Sequence, residues 1–388
     1  MPCPVYFAMH LYLHVPFCAR RCSYCDFAIA VRRQVPTDRY VAAVLREWDG
    51  WQASGAFDAA ADAGSAASSG PARPNHVQTI YFGGGTPSHI DPAGIGALLD
   101  GIARRRTVAA GAEVTLEANP DDVTAARAAA WRAAGVNRIS LGVQSFDPAV
   151  LTWMHRTHEA DQVGSAVNAL RQAGFDDLSL DLIFGLPSAL GRDWDRDLAL
   201  AFALAPEHLS LYGLTVEAHT PLGRWTERGE VTPVDEERYA AEFLAADRAL
   251  ARQGYEHYEV SNAARPGRRA RHNGAYWRRA PFIGLGPSAH SGFGRRRQWN
   301  LREWSAYERA IAEGRSAVAG VEDLTREAVE LEEVYLGLRT VDGLPADRLP
   351  PETVAAWTGA GWAVATPGRI RLTAEGWLRL DALAAATP

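Results

Sequence analysis

Three of the four cysteines lie close together, as Cys18, Cys22 and Cys25, whereas Cys3 stands apart near the start of the sequence. Thiolates spaced in this way form a loop that can wrap a compact centre of soft metal ions. A cube of four irons normally takes four thiolates, so three cysteines would leave one iron open to a small molecule. The main alternative is a structural zinc site, which would need His14 as its fourth ligand. The spacing therefore predicts a metal centre at these three cysteines, with an iron–sulfur cube as the first choice.

The composition excludes several classes of protein. The chain has 388 residues, of which 47% are apolar and 22% charged, so it can bury a large core. All forty basic residues are arginine, which excludes Walker-A phosphate binding, Schiff-base chemistry and pyridoxal-phosphate enzymes, since each needs a lysine amine. A formal charge of -6 argues against a nucleic-acid partner. The apolar runs are too short to cross a bilayer and no targeting segment is recognisable, which predicts a soluble cytoplasmic protein.

The cysteine loop resembles that of radical S-adenosylmethionine (SAM) proteins, which share the spacing C-x3-C-x2-C with an aromatic residue before the third cysteine, here Tyr24. By that resemblance the three cysteines hold a [4Fe–4S] cluster whose open iron faces SAM. Arg20 and Arg21 lie within the same loop and are expected to lower the pKa values of the thiols.

The elements that would position this loop follow from the pattern of apolar residues. Predicted strands at 11–15, 79–82, 114–117, 138–143, 178–184 and 208–214 are interspersed with predicted helices at 37–53, 123–134 and 162–173. Such alternation predicts an α/β fold with right-handed crossovers and a parallel sheet. Residues at the carboxyl ends of such strands meet at one edge of a curved sheet, so we predict a partial (β/α)6 barrel with its chemistry at that edge. Residues 53–75, rich in Ala, Gly, Ser and Pro, are predicted to form a surface loop.

Polar residues follow several of the predicted strands. SAM carries an amino group, a carboxylate, a ribose diol and an adenine, so its site needs backbone amides and carbonyls, a cation, and a group that binds the diol. The glycine loop at 83–87 offers the backbone groups and Arg156 the cation, and the diol can bind to Glu117, Gln144 or Asp181. Each feature alone has a structural explanation, such as a tight turn or a helix cap. Their joint placement after strands predicts a SAM site.

Further stretches resemble the coproporphyrinogen III oxidase-like branch of the radical SAM proteins, over nearly the whole chain. They begin at residues 11, 82, 116, 140 and 181, and read LYLHVPFC, FGGGTPS, LEANP, SLGVQSF and DLIFGLP. The resemblance implies that SAM contacts Tyr12, Tyr24, Gly84, Gly85, Thr86, Glu117, Gln144, Arg156 and Asp181.

Two features favour the haem chaperones of this branch over its oxygen-independent oxidase. The oxidase has a further cysteine two places after the third cluster ligand, where this chain has Phe27, and an N-terminal extension before its cluster loop. Residues 271–277, RHNGAYW, match an H-N-x-x-Y-W signature that is linked to haem in this branch. His272 would then ligate the iron, and Tyr276 and Trp277 would lie against the macrocycle. Arginines that could pair with the two propionates stand at 265, 268, 269, 271, 278 and 279. The alternative for His272 is a hydrogen-bonded structural role.

Beyond residue 300 the pattern changes to helices at 304–313, 325–338 and 373–385 and short strands at 362–365 and 369–372. This outline resembles the small α+β, winged-helix-like domain of the same branch, and its acidic stretch at 322–333 favours packing over DNA binding. The expected organisation is a radical SAM barrel over 1–230, a barrel extension with the H-N-x-x-Y-W segment over 231–300, and the C-terminal domain over 301–388.

The first hypothesis for function is a haem chaperone that delivers haem to client haemoproteins, such as membrane-bound respiratory enzymes, and keeps a cluster and a SAM site. The alternative is an oxygen-independent coproporphyrinogen III oxidase, which uses a SAM-derived radical for oxidative decarboxylation. A third hypothesis is a non-enzymatic iron–sulfur scaffold. Phe27 and the H-N-x-x-Y-W segment favour the chaperone, for which no catalytic residue is assigned. A homodimer is one assembly open to it, and the sequence does not determine the oligomeric state.

Overall fold

The computed structural model describes residues 8–53 and 76–387. Cys3 and residues 54–75 lie outside this range, so the predicted loop at 53–75 stays a prediction. No helix of the described ranges is long and apolar enough to cross a membrane.

The first part of the chain forms the partial barrel that the sequence predicts. It runs β1 (Ala8–Val15), β2 (Phe17–Cys18), β3 (Ala30–Val31), α1 (Thr37–Ala53), β4 (His76–Gly84), α2 (Pro92–Arg105), β5 (Val108–Ala118), α3 (Ala125–Ala134), β6 (Arg138–Gln144), α4 (Pro148–Trp153), α5 (Ala160–Gln172), β7 (Leu178–Phe184), α6 (Trp194–Ala203) and β8 (His208–Gly213). Strands β1, β4, β5, β6, β7 and β8 lie side by side in that order and are parallel. Helices connect successive strands, so the carboxyl ends of the strands all reach the same edge of the sheet.

The following residues extend this sheet at both edges. They run α7 (Pro221–Glu227), α8 (Glu236–Arg252), β9 (Glu256–Glu259), β10 (Asn262–Ala264), α9 (Arg271–Trp277), β11 (Phe282–Leu285), β12 (His290–Phe293), β13 (Arg296–Asn300), α10 (Trp304–Ala312) and β14 (Val318–Asp323). Strands β10 and β9 continue the sheet beyond β8, while β11 pairs in parallel with β1 and is followed by β12, β13 and β14. Among the described strands the sheet remains open, as a partial barrel requires.

The C-terminal residues form a small winged-helix-like unit. It consists of α11 (Arg326–Leu338), β15 (Leu344–Pro345), α12 (Pro351–Gly359), β16 (Ala363–Thr366), β17 (Arg369–Leu372), α13 (Ala374–Trp377) and α14 (Leu380–Ala385). Strands β16 and β17 form a hairpin, and β15 pairs with β17. The single helix predicted at 373–385 is wrong in detail, because Arg379 has the non-helical angles φ -117° and ψ 11° and separates two helices. The division into three segments stays a prediction, and the large sheet continues to Asp323.

The strands of the barrel have one apolar and one polar face, because successive side chains of a strand point in opposite directions. On β1, Leu11 and Leu13 belong to the apolar core. The alternate residues His10 and Tyr12 lie in register with Thr79 and Tyr81 of β4. The helices therefore cover an apolar outer face, while polar and aromatic side chains fill the interior of the barrel.

A buried carboxylate connects α1 to the far edge of the sheet. Glu47 accepts hydrogen bonds from the Gly286 amide at 2.8 Å, the Tyr307 hydroxyl at 2.6 Å and the Asn300 side-chain amide at 2.6 Å. Gly286 has a φ of 96°, and a Cβ at this position would lie 2.5 Å from the carbonyl oxygen of His14. Glu47 therefore holds the loop that packs behind the end of β1. Burial raises the pKa of Glu47 to about 7, although its three hydrogen bonds act in the opposite direction.

We expect Glu47→Gln to change the pH dependence of folding stability. Because the folded-state pKa of this acid is raised, its stabilising contribution is full at low pH and is lost as the pH rises from 4.5 towards about 7. Urea unfolding at acidic and slightly alkaline pH should show the variant gaining stability over the wild type at the higher pH, by roughly 1 to 3 kcal/mol. The exposed Glu237→Gln should show no such gain. If the free energies of unfolding of Glu47→Gln and the wild type differ by the same amount at both pH values, the raised pKa of Glu47 is contradicted.

Candidate functional site

A cavity of about 550 Å³ opens at the carboxyl ends of the parallel strands. We call it the cluster cavity, because the cysteine loop lies at its mouth. Among the residues that the sequence predicts to hold the cluster or SAM, those that line it are Cys18, Cys22, Tyr24, Cys25, Gly84, Gly85, Thr86, Glu117, Gln144, Arg156 and Asp181. Tyr12 is not among the lining residues, and its ring instead stacks on Tyr81 inside the barrel at 6.1 Å between centroids. The structure thus brings the predicted cluster and SAM residues around one space, with Tyr12 behind it. Their contacts with cofactors stay predictions.

The cysteine loop is anchored at its ends and in its middle by backbone hydrogen bonds. Phe17–Cys18 pairs in parallel with Ala30–Val31, which closes the loop. In the middle, the Ser23 amide donates to the carbonyl of Met154 at 3.1 Å, and the Ser23 carbonyl accepts from the amide of Leu222 at 2.8 Å. The ends of α4 and α7 therefore hold the loop over the mouth of the barrel.

Side-chain hydrogen-bond donors reach two of the three sulfur atoms, those of Cys18 and Cys22. The Thr86 hydroxyl donates to Cys18 Sγ at 3.4 Å, and Arg156 Nη1 donates to Cys22 Sγ at 3.5 Å. A Cβ on Gly85 would lie 2.9 Å from Cys18 Sγ, so only glycine leaves room for the sulfur. In the described ranges no three His, Cys, Asp or Glu side chains are grouped so that they could hold one metal ion. The two hydrogen-bond donors and the space beside Gly85 fit a cluster whose thiolate ligands are stabilised by N–H and O–H groups.

The thiols of Cys18 and Cys25 are harder to ionise than the sequence predicts. Burial raises the pKa of Cys18 to about 12 and also raises the pKa of Cys25. Arg21 lowers the pKa of Cys25, but by less than burial raises it. For Cys18 and Cys25, the expectation that Arg20 and Arg21 lower the thiol pKa values is therefore wrong for the net shift. Binding of a metal centre must displace these protons.

Two half-buried carboxylates, Glu117 and Asp181, face the cavity from β5 and β7. Glu117 accepts from the Tyr81 hydroxyl at 2.8 Å and the Gly84 amide at 3.1 Å. Asp181 accepts from the Ser140 hydroxyl at 3.0 Å. Burial raises the pKa of both acids, to about 7 for Glu117, where the charge of Asp181 adds to the effect. Carboxylate oxygens in a cavity can accept hydrogen bonds from a diol such as that of a ribose.

Arg156 and Gln144 supply the remaining polar groups of the cavity. Arg156 Nη2 donates to Asn119 Oδ1 at 2.7 Å and to the Gly142 carbonyl at 2.9 Å. Its Nε is buried and has no partner among the described residues. Gln144 has a φ of 66°, which is unusual for a residue other than glycine, and its side chain makes no hydrogen bond within the described part of the chain. These unsatisfied groups fit a ligand that carries a carboxylate and an amino group, as SAM does.

Sequence patterns alone did not identify several residues that shape the cavity. Tyr81 holds Glu117, and Ser140 and Tyr212 line the space. Ser140 lies in register with Glu117 on the neighbouring strand. The alternation of polar and apolar residues along each strand is the signal that could have identified these inward-facing positions.

The H-N-x-x-Y-W segment forms α9, whose side chains lie in two different surroundings. His272 is 1% exposed, with Nδ1 bonded to Thr79 Oγ1 at 2.7 Å and Nε2 to the Tyr276 hydroxyl at 2.8 Å. Burial lowers the pKa of His272 to about 3, so its imidazole is neutral. Trp277 instead lines a second cavity, outside the barrel. Axial ligation by His272 stays a prediction, and in this structure it would require one of the two hydrogen bonds to break.

A carboxylate of β5 determines where α9 begins. Glu113 accepts from the amides of Arg271 at 2.8 Å and His272 at 2.9 Å. These first-turn amides have no partner within the helix, and a negative charge near them is favourable. Glu113 and Glu117 lie on the same, inward-facing side of β5, with one other inward-facing residue between them. A single strand therefore carries both the carboxylate that caps α9 and the carboxylate that faces the cavity.

The sequence and the fold are similar to those of known proteins. Residues 12–201 match the family model of the radical SAM superfamily. Heme chaperone HemW of Mycobacterium tuberculosis is 36% identical over 379 residues, which cover 96% of this chain and 93% of the relative. Heme chaperone HemW of Escherichia coli is 38% identical over 283 residues, or 73% and 69% of the two chains. The structure of coproporphyrinogen III oxidase (HemN) from Escherichia coli, a radical SAM enzyme, superimposes with a TM-score of 0.77 at 23% identity over 98% of this chain and 90% of that one, which shows a shared fold.

We expect Gly85→Ala to lower the iron content of the reconstituted protein. The added Cβ would lie 2.9 Å from both Cys18 Sγ and the Phe17 carbonyl oxygen, so the cysteine loop or the glycine loop would have to move. Iron and sulfide content after anaerobic reconstitution is the measurement. The control Gly96→Ala places a Cβ 3.6 Å from Ala134, an ordinary contact, and should keep the wild-type iron content. Equal iron in both variants would contradict the packing that we describe around Cys18.

Proposed function

Because the chain belongs to the HemW family of radical SAM proteins, we propose that it is a haem chaperone, which binds haem and delivers it to client haemoproteins. The observation that carries this proposal is the similarity to curated haem chaperones over 96% of the chain, which includes the cysteine loop, α9 and most of the C-terminal unit. Membrane-bound respiratory enzymes as clients, a cytoplasmic location and a homodimer stay predictions.

We propose further that Cys18, Cys22 and Cys25 hold a [4Fe–4S] cluster, with Arg156 and Thr86 donating hydrogen bonds to its sulfur ligands. A three-cysteine cluster of this kind leaves one iron free to bind a small molecule and can supply an electron to it. The support lies in the cavity geometry, where both donors already reach sulfur atoms.

The same cavity is our proposed SAM site. Glu117 and Asp181 are placed to accept hydrogen bonds from the ribose hydroxyls, and Gln144 and Arg156 to bind the carboxylate and amino group of the methionine part. The glycine loop supplies backbone groups at Gly84, Gly85 and Thr86, and Tyr24 borders the same space. Tyr12 does not line the cavity, so its proposed role is indirect, through the stacking of its ring on Tyr81.

The haem-contact residues predicted from the sequence are His272, Tyr276 and Trp277 of α9. Trp277 lines an open cavity, whereas His272 and Tyr276 bond to each other inside the barrel. Haem delivery would therefore use a part of the molecule that is separate from the cluster cavity.

The oxidase remains the second candidate, because its fold is shared over 98% of this chain. Phe27 lines the rim of the cluster cavity and is 61% exposed, at the place where the oxidase carries a further cysteine. An apolar ring cannot replace a thiol as a ligand or redox group, which favours the chaperone.

Gln144→Ala should weaken SAM binding by roughly 1 kcal/mol, the usual value of one lost hydrogen bond. Because Gln144 makes no side-chain hydrogen bond within the described residues, its removal should leave the cluster and the unfolding temperature unchanged. Isothermal titration of the reconstituted protein with SAM is the measurement, and the exposed Gln172→Ala is the matched control. Wild-type SAM affinity in Gln144→Ala would move the proposed site away from this residue.

We expect the reconstituted wild-type protein to bind haem and to form no protoporphyrinogen from coproporphyrinogen III in the presence of SAM and a reductant. The reason is the apolar Phe27 at the rim of the cavity. Haem binding is followed by the visible spectrum, and porphyrin products are separated by chromatography beside an active oxidase as the positive control. Turnover comparable to that oxidase, or failure to bind haem, would refute the proposed function.

A further inference from the structure

Helix α9 has an inner and an outer face. His272 lies on the inner face and is enclosed by the barrel, whereas Arg271, Gly274, Trp277 and Arg278 line a cavity on the outer face, beside the C-terminal unit. A ligand that approaches α9 through this cavity meets the outer face first.

This outer cavity has a volume of about 510 Å³ and a strongly basic lining. Its walls come from α9, α11 and the residues around β15. Its charged lining consists of Arg269, Arg271, Arg278, Arg279, Arg348 and Arg369 against Glu333 and Asp342. A chain with a formal charge of -6 thus concentrates positive charge at one cavity, which favours an anionic ligand.

Several of these arginines have charge that the surrounding carboxylates do not neutralise. Arg278 has no side-chain hydrogen bond or ion pair within the described ranges. Arg369 donates to two backbone carbonyls, at 2.6 and 2.7 Å. Arg348 has one contact of 3.3 Å with Glu333, a carboxylate that it shares with Arg279. The cavity therefore offers guanidinium groups that can bind further carboxylates.

The remaining lining of the outer cavity is apolar or open. Trp277 contributes its indole ring, which is fixed by the Arg339 guanidinium at 4.3 Å from the ring centroid. Leu344 and Pro345 contribute aliphatic surface. Gly274 also lines the cavity, and the three atoms nearest to a Cβ at this position would all belong to the guanidinium of Arg278. Aromatic and aliphatic walls with cations around them suit a flat apolar molecule that carries carboxylates at its edge.

We propose that this outer cavity, rather than the inner face of α9, is the porphyrin-binding site, with Arg278 and Arg348 pairing with the two propionates and Trp277 contacting the macrocycle. This inference rests on the proposed haem-chaperone function and adds the location of the ligand and the chemistry that recognises it. Binding of this kind needs no bond from His272 to the metal, so porphyrins without iron also fit.

The ligand chemistry is tested with three probes on the full-length protein: haemin, metal-free protoporphyrin IX, and the dimethyl ester of protoporphyrin IX. Quenching of tryptophan fluorescence reports binding of all three. We expect the two dicarboxylates to bind with dissociation constants within roughly tenfold of each other, and the uncharged ester to bind at least roughly tenfold more weakly, because it cannot pair with guanidinium groups. Equal binding of the ester would overturn the proposed recognition.

The location is tested with variants of the same protein. The double variant Arg278→Gln/Arg348→Gln should weaken haemin binding by roughly tenfold or more, the effect of losing charge-assisted hydrogen bonds. The control Arg315→Gln/Arg326→Gln removes the same charge from exposed arginines outside the cavity and should bind haemin as the wild type does. Gly274→Leu fills the cavity without a change of charge, and should also weaken binding.

The outcomes separate this inference from the proposed function. Failure of the wild type to bind haemin would refute the chaperone itself. Normal haemin binding in the wild type, in the double variant and in Gly274→Leu would refute only the location. A shift of the Soret band in His272→Gln would also refute the location, because the proposed binding needs no bond from His272 to the metal. A lower unfolding temperature of the double variant with unchanged haemin affinity would show that the two arginines only fasten the C-terminal unit, which also overturns the inference.

Discussion

The polar interior of the barrel must satisfy its own hydrogen bonds, because unpaired polar groups are costly where water is excluded. The Thr79 hydroxyl bridges His10 and His272, at 2.9 and 2.7 Å. The imidazole of His272 stacks on the ring of Tyr81 at 5.0 Å between centroids, and Tyr81 donates to Glu117. The carboxylate that faces the cluster cavity is thus held by a column of side chains that ends at α9. Any ligand or substitution that moved α9 inward would disturb this column.

The two proposed ligand sites are consequently connected without sharing a cavity. Strand β5 carries both Glu113, which caps α9, and Glu117, which faces the cluster cavity. The cysteine loop is fixed separately, through β2, β3 and the backbone of Ser23. If the outer cavity binds the porphyrin as proposed, the radical SAM fold keeps its cofactor cavity while a distant surface binds the porphyrin. Movement of haem towards a client would then need no opening of the cluster cavity.

Much of this arrangement could be predicted from the sequence, because the cysteine spacing and the apolar runs of the six parallel strands are strong local signals. Strand β13 has the sequence RRQWN and carries no apolar alternation, so its pairing is apparent only from the fold. The direction in which His272 points depends on how a seven-residue helix packs, which spacing does not determine. Likewise, the thiol pKa of Cys18 follows from burial, a property of tertiary structure, and not from the neighbouring Arg20 and Arg21. Local patterns thus predict elements and ligand types, while orientation and electrostatics come from packing.

Transfer of haem to another protein is the defining act of a chaperone, and it can be measured directly. The haem-loaded protein is mixed with an apo-haemoprotein from the same cells, and the appearance of the client's own visible spectrum is followed. A parallel reaction with excess apomyoglobin gives the rate at which haem dissociates spontaneously. We expect the client to acquire haem faster than this spontaneous rate, with matching loss from the chaperone. Transfer that is no faster than spontaneous dissociation, or no transfer at all, would contradict the chaperone function.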